Sequence, residues 1–214
     1  KKRGYSYSLG KRTIDILFSS LICIFILSWL LPILAVLIKL DSKGPVFFRQ
    51  KRTGFRGKIF KCFKLRTMKM NYNSEDLQAS LNDPRITRIG TFLQISNLDE
   101  LPQFINVLIG DMSIVGPRPH MIKDSNDFST IFPSYYNRYL VKPGISGLAQ
   151  INGFRGPTPN IRSIYKRLQW DLYYVEHVNL GMDVRIILLT ALETICSKRN
   201  SELSTANNKP LLNK

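Results

Sequence analysis

The chain is poor in acid, histidine and cysteine. Against 31 Lys and Arg stand only 15 Asp and Glu, with 2 His and 3 Cys in 214 residues. Cys23, Cys62 and Cys196 are isolated and odd in number, and no CxxC or Cys/His spacing occurs. A disulfide framework and a structural zinc site are thereby excluded. His120 and His177 are too few for a His-rich metal centre. The stretch PGISGLAQING has neither the GxxxxGK[ST] order of a P-loop nor the GxGxxG order of a dinucleotide fold, so those nucleotide sites are excluded too. No internal repeat is visible. The chain does not begin with Met, so it reads as a processed protein or as a piece of a longer one.

What the chain does have is one long apolar run, Ile16 to Ile38 (ILFSSLICIFILSWLLPILAVLI). Its length of about 23 residues suffices to enter a bilayer, which takes about 20. It exceeds a signal-peptide core, and no small-residue cleavage motif follows. Lys1, Lys2, Arg3, Lys11 and Arg12 precede it, and Lys39, Lys43, Arg49, Lys51 and Arg52 follow. A spanning helix shows its Lys/Arg excess on one side. With both flanks basic, the simplest path is a hairpin that enters and leaves one leaflet, bent at Pro32. A single-pass anchor is the other path the run allows, since a proline is tolerated in a spanning helix. The formal charge of +16 and pI near 10.0 call for a polyanionic environment. Beside an apolar run, anionic lipids and phosphorylated substrates rank above nucleic acid, for which no motif appears.

The expected organisation is a basic lead-in and membrane helix over 1–43, a catalytic domain over 44–196 and a polar, disordered tail over 197–214. Hydrophobic content of 44% supports a core. Pro45 to Met68 reads as two strands around a glycine turn. Asn71 to Leu81 is a short surface helix or a loop. Leu101 to Ile109 has helical spacing and stops at Gly110, a C-terminal cap. Val115-Gly116-Pro117-Arg118-Pro119 is a rigid turn, a place where a cis bond is conceivable. Val141 to Gly156 is glycine-punctuated loop. Ile161, Ile164, Leu168, Leu172 and Val175 form the apolar stripe of an amphipathic helix, with Arg162, Lys166 and Arg167 opposite. Val184 to Ile195 is a last apolar helix.

The chemistry concentrates in NLDELPQF. Pro102 suits a first helical turn, which puts Asp99 and Glu100 at a helix N-terminus. Acids there are usually caps. Here they stand among clusters of cations and Gly/Pro turns, beside a membrane segment. A carboxylate can act as a nucleophile toward phosphorus. Neighbouring carboxylates can hold Mg²⁺ together with substrate phosphates, and arginines can neutralise charge on a transferring phosphoryl group. The candidate phosphate holders are Lys64, Arg66, Arg85, Arg88, Arg118 and Arg155.

These motifs resemble the monotopic phosphoglycosyl transferases among the bacterial sugar transferases, from Lys11 to about Leu192. The matching signatures are KR-x-x-D at Lys11, Arg12 and Asp15, GPVFFRQ from Gly44, FKLRTM from Phe63 and DPRITRIG from Asp83. LDELPQ from Leu98, NVLIGDMSIVGPRP from Asn106, KPGISGLAQING from Lys142 and DLYYV from Asp171 complete the set. Within the family, NGFRG and KLDSKGPVFF are most similar to enzymes moving hexose 1-phosphate, often glucose or galactose, onto undecaprenyl phosphate. The resemblance implies a small α/β cytosolic catalytic domain with a re-entrant membrane helix and interfacial amphipathic helices, at the cytoplasmic face of the bacterial inner membrane. It implies a UDP-sugar donor, Asp99 as the residue attacking the β-phosphorus, release of UMP, and transfer from the covalent phosphosugar to undecaprenyl phosphate. Glu100 would help Asp99 hold Mg²⁺. Lys64, Arg118, Arg155, Asp171 and Asp183 fall on positions the family uses in or near its site.

Two departures stand out. Many relatives carry Arg five residues before the nucleophile, where this chain has Gln94, leaving a phosphate contact missing or supplied by Arg88. Many also bend the membrane helix at an adjacent Ser-Pro, whereas Ser28 and Pro32 are separated here. Larger relatives add an N-terminal membrane bundle, so this chain reads equally as the catalytic part of one. A non-catalytic, membrane-bound nucleotide-sugar binder or scaffold is the alternative reading. Homo-oligomerisation and the identity of the sugar are left open.

Overall fold

Leucine and isoleucine without a single glycine make residues 11–41 a natural helix, and in the computed structural model they form one. The structure describes residues 9–69, 83–155 and 160–207, with side chains as far as 193. Helix α1 (Leu9–Ile22) passes through a wider π-helical turn (Cys23–Leu27) into α2 (Ser28–Asp41). The Ser28 N–H reaches back to Cys23 O across that turn. Ser28 Oγ donates to Ile24 O at 2.6 Å and Trp29 Nε1 to Phe25 O at 2.7 Å. The sequence puts the irregularity at Pro32. The structure keeps Pro32 inside α2 and opens the turn before it. The physical reason is local: a proline ring crowds the carbonyl four residues earlier, here that of Ser28, so the distortion falls on the preceding turn.

Both ends of this helical stretch dock on the same domain. At the α1 end, Lys11 Nζ pairs with Asp183 Oδ2 at 2.5 Å, and the Tyr174 hydroxyl donates to Asp183 Oδ1 at 2.7 Å. Arg12 donates to Val107 O and Leu108 O, and Asp15 Oδ1 accepts from Ser113 Oγ and the Ile114 N–H. The KR-x-x-D motif is thus a polar clamp, each charge gripping a different element. At the other end, Leu34 and Ile38 are buried with Leu65 and Leu93. Asp41 Oδ2 there accepts the Ile89 N–H at 2.9 Å.

The domain is a mixed α/β arrangement with two small sheets. Strands β1 (Phe47–Thr53) and β2 (Ile59–Leu65) form the expected hairpin, antiparallel with Phe47 opposite Leu65 and Thr53 opposite Ile59. Helix α3 (Arg88–Ser96) is capped by Thr87, whose hydroxyl accepts the Gly90 N–H. A 3₁₀ turn (Leu98–Glu100) leads into α4 (Gln103–Ile109), which ends at Gly110 in the left-handed region (φ 99°), as its sequence implies. Strand β3 (Ser113–Val115) pairs in parallel with β4 (Gly144–Ser146). Between them come α5 (Ile122–Ile131) and a 3₁₀ helix (Pro133–Leu140). Helices α6 (Leu148–Ile151), α7 (Ile161–His177) and α8 (Leu180–Asn207) close the chain. The core joins β2, α4, β3, α7 and α8 through Phe60, Cys62, Val107, Ile114, Val175 and Ile186.

Three expectations change. The segment read as loop from Val141 holds β4 and α6, because a parallel strand takes its partner from far away in the chain. Arg167 is not on the solvent face of α7 but buried, whereas Ile161 of the proposed stripe is 60% exposed. Helix α8 runs past residue 197 to Asn207, into the segment read as a disordered tail, through a stretch free of Gly and Pro. The segment Asn71 to Leu81 falls outside the described residues.

Candidate active site

Asp99 and Glu100 occupy the single 3₁₀ turn between α3 and α4, both buried. Asn97 makes the turn by adopting the left-handed conformation (φ 57°, ψ 17°), which asparagine tolerates better than most residues. It ends α3 and throws the two acids back toward the hairpin. Lys64, near the end of β2, meets them there, with Nζ 2.7 Å from Glu100 Oε1 and 3.6 Å from Asp99 Oδ2.

Arg118 arrives from the turn after β3. It forks Glu100, with Nη2 at 2.5 Å from Oε1 and Nη1 at 3.1 Å from Oε2. A two-bond fork of this kind fixes orientation as well as charge. The backbone is aimed by a close crossing: the Gly116 N–H bonds Ser146 O, and the Gly144 N–H bonds Pro117 O. A Cβ on Gly144 would lie 2.0 Å from Gly116 N, so only glycine allows the approach. All peptide bonds among the described residues are trans, the two X–Pro bonds of this turn included.

The two acids are electrostatically unlike. Burial opposes the charge on Glu100, but the Arg118 and Lys64 cations overcome it and hold the carboxyl well below its usual range. Asp99 moves the other way: burial raises its pKa and the Glu100 charge adds to that, with Lys64 and Arg118 only partly opposing. Glu100 spends itself on two cations. Among the described residues Asp99 has one ion pair, the 3.6 Å approach of Lys64, besides a hydrogen bond from its own backbone N–H.

The remaining candidates are dispersed. Arg66 is buried and donates to Ser42 O, Ile38 O and Lys43 O, so it caps the C-terminus of α2 rather than facing the acids. Arg85 folds back on Asp83, Nη2 to Oδ2 at 2.6 Å. Arg88 is exposed at the start of α3. Gln94 donates to Thr67 Oγ1 at 2.9 Å. Arg155 is half-buried at the edge of the described residues, with no ion pair to either acid among them. Asp171 pairs with Arg138 at 2.6 Å, and Asp183 belongs to the α1 clamp. The structure therefore brings together Asp99, Glu100, Lys64 and Arg118.

Sequence reasoning missed Asn106 and Arg138. Asn106 is fully buried, its Nδ2 donating to Lys61 O at 2.8 Å and its Oδ1 accepting the Phe63 N–H at 2.9 Å. It pairs with β2 as an extra strand would, next to Lys64. A polar residue inside the apolar segment FINVLI was the available signal. Arg138 looks in sequence like any other cation of this basic chain.

The described residues hold no group of three or more His, Cys, Asp or Glu suited to a metal. Two neighbouring acids still fit Mg²⁺, which commonly takes one or two carboxylates and completes its shell with phosphates and water. Glu100 Oε2 accepts only the 3.1 Å bond from Arg118 Nη1 and Asp99 meets Lys64 at 3.6 Å, which leaves carboxylate lone pairs on both acids.

The bacterial sugar transferase model matches residues 6–197. The chain is 50% identical over 77% of its length to a UDP-glucose:undecaprenyl-phosphate glucose-1-phosphate transferase of Xanthomonas campestris pv. campestris, covering 34% of that protein. It is 46% identical over 89% of its length to the Escherichia coli (strain K12) protein of the same description, covering 41% of it. The chain thus spans little more than a third of these relatives. It is also 45% identical over 86% of its length to an exopolysaccharide production protein of Rhizobium leguminosarum bv. phaseoli, of which it covers 94%. On the family match across residues 6–197, the chain belongs to the bacterial sugar transferases.

Proposed function

We propose that the chain is a phosphoglycosyl transferase that moves hexose 1-phosphate from a UDP-sugar to undecaprenyl phosphate. One observation carries this reading: of two adjacent buried acids, Glu100 is paired with both Lys64 and Arg118, while the only cation paired with Asp99 among the described residues is Lys64, at 3.6 Å. Relatives described as transferring glucose 1-phosphate to undecaprenyl phosphate support the substrate class.

In this mechanism an Asp99 oxygen attacks the β-phosphorus of the donor. The bond to the bridging oxygen breaks, UMP leaves with its electron pair, and an aspartyl-phosphosugar remains. A phosphate oxygen of undecaprenyl phosphate then attacks the same phosphorus, which frees Asp99 and yields the diphosphate-linked sugar. Glu100 fixes Lys64 and Arg118 beside the reacting phosphorus, where their charge is worth most as the phosphoryl oxygens become more negative. Asp99 and Glu100 would hold Mg²⁺, which supplies additional charge neutralisation on the diphosphate.

The membrane path follows from surface chemistry. Only 17% of the most apolar window of Leu9–Asp41 is buried inside the protein. Phe25, Trp29 and Val36 are more than half exposed, and such a continuous apolar surface needs lipid around it. Both ends dock on one domain, so the helix re-enters on the cytoplasmic side of the inner membrane, with the exposed Phe92 and Ile95 of α3 at the interface. Single cysteines at Gly10 and Ser42, in a chain without Cys23, Cys62 and Cys196, are both protected from an impermeant reagent in intact cells. Labelling of only one means a true span.

The reaction is tested with the protein in lipid, undecaprenyl phosphate, Mg²⁺ and individual UDP-sugars, reading UMP. Release of UMP with one hexose donor is expected. Binding of UDP-sugars without UMP from any donor overturns the reading in favour of a non-catalytic scaffold.

A further inference from the structure

Behind the Gly-Pro-Arg-Pro turn lies a buried network that the proposed chemistry does not itself use. Arg138, on the 3₁₀ helix Pro133–Leu140, is only 2% exposed. Its Nη2 donates to Arg118 O at 2.8 Å and to Asp171 Oδ2 at 2.6 Å. Its Nη1 donates to the Tyr135 hydroxyl oxygen at 3.0 Å and lies 2.9 Å from His120 Nδ1. One guanidinium therefore grips the backbone of Arg118 and the ring of His120, on either side of Pro119. Pro119 O in turn accepts from Arg52 Nη1.

The hydrogen-bond roles are determined by what each group can do. A guanidinium only donates, so His120 Nδ1 must accept from Arg138. The Tyr135 oxygen, which accepts from Arg138, lies 2.5 Å from the same nitrogen. Arg167 Nη1 stands 3.4 Å from the other ring nitrogen, Nε2, so both ring nitrogens face cations and the ring is held neutral. Burial, and next the cations Arg138, Arg167, Arg52 and Arg118, press its pKa well below the usual value, consistent with that state. Charge balance in the cluster comes from Asp171 on α7.

We infer that Arg138 is a positioning residue for the transfer: it holds the Arg118 carbonyl so that the Arg118 side chain keeps its two-bond fork on Glu100. The kinetic part of this inference rests on the reaction proposed above, and the geometric part does not. Lysine has one nitrogen and cannot span Asp171, the Arg118 carbonyl and the His120–Tyr135 pair together. Arg138→Lys keeps the buried charge opposite Asp171 but loses the grip. A second variant, Arg138→Met with Asp171→Leu, removes both charges and avoids stranding one of them.

Two readouts test this. In protein labelled with ¹⁵N-arginine, the Nη signals of Arg118, identified by their loss in Arg118→Lys, are separate in the unmodified chain because the fork hinders rotation. They merge in both Arg138 variants. The second readout is turnover: kcat falls about 10²-fold with KM nearly unchanged, as misplacement of a positioned group does. In an Arg118→Ala background the same Arg138 change has almost no further effect. Unchanged Arg118 signals in both variants overturn the inference, as does an equal kcat loss with and without Arg118. If the unmodified chain releases no UMP while its Arg118 signals still depend on Arg138, the proposed reaction fails and the positioning role stands.

Discussion

Two buried groups of charge in this molecule use the same parts to opposite ends. In the α1 clamp, Lys11, Asp183 and Tyr174 satisfy one another, with Lys11 at 2.5 Å and Tyr174 at 2.7 Å from the Asp183 carboxylate. At the acid pair, Lys64 and Arg118 crowd onto Glu100 and leave Asp99 with a 3.6 Å contact. The clamp joins an apolar helix to a domain, and its Asp15 keeps one buried oxygen, Oδ2, without a hydrogen-bond partner among the described residues. Neither a buried acid beside a cation nor an unsatisfied carboxylate oxygen is therefore a sign of a site by itself; what sets the acid pair apart is two cations converging on two adjacent acids.

The sharpest way to break this comparison is Asp99→Asn. UMP release and any acid-labile phosphosugar adduct at position 99 disappear, a loss of at least about 10³-fold for removal of a nucleophile. The fold persists, because Asp99 gives up only its long contact with Lys64. Retained turnover would remove Asp99 from the chemistry. The mirror change at the clamp is Lys11→Met. It leaves Asp183 buried and without its cation, which costs about 3–5 kcal/mol of stability. A thermal unfolding midpoint in detergent falls, while kcat per folded molecule changes little. A large kcat loss with unchanged stability would mean that the clamp belongs to the site.

Lys64→Met has a smaller, pH-dependent effect, about 10²-fold in kcat for removal of one charge-stabilising donor. Asp99 must be ionised to attack, and Lys64 is one of the groups pulling its raised pKa down. Removing that cation raises the pKa further, so the acid limb of the kcat/KM profile moves to higher pH. A shift to lower pH would contradict the assigned pairing. The smallest effect is expected for Arg88→Ala. Arg88 is exposed on α3, and kcat/KM stays within about 3-fold, as for most surface changes. A larger loss would bring Arg88 into the site.

The parts of this protein legible in sequence are those governed by neighbours along the chain. The β1–β2 hairpin follows from apolar residues flanking Gly54 and Gly57. The stop of α4 follows from Gly110, and α7 from spacings of three and four. LDELPQ marked the acid pair, and the GPRP turn marked Arg118. What sequence could not sort was the cations. Arg66 reads as a phosphate holder as readily as Lys64 does, since both lie in FKLRTM and residues two apart share a face of a strand, yet β2 ends at Leu65 and the rule lapses beyond it. Lys64 points to the acids, and Arg66, just beyond the strand, turns to the α2 carbonyls. The burial of Arg167 and the pairing of Asp183 with Lys11 were hidden for the same reason: whether a charge is spent inside depends on which helix packs over it.

Sequence alone determined the long apolar helix, the hairpin, the capped α4 and an acid pair at a turn, because hydrophobic period, glycine and proline act over a few residues. Only the tertiary structure decided which acid takes two cations. The partners that pair with Glu100 stand 36 and 18 residues away along the chain, and the guanidinium holding Arg118 comes from a further element, 20 residues from it. Charge pairing falls off over a few ångströms, so it is set by how β2, α4 and the β3–β4 crossing pack together, and no local pattern records that.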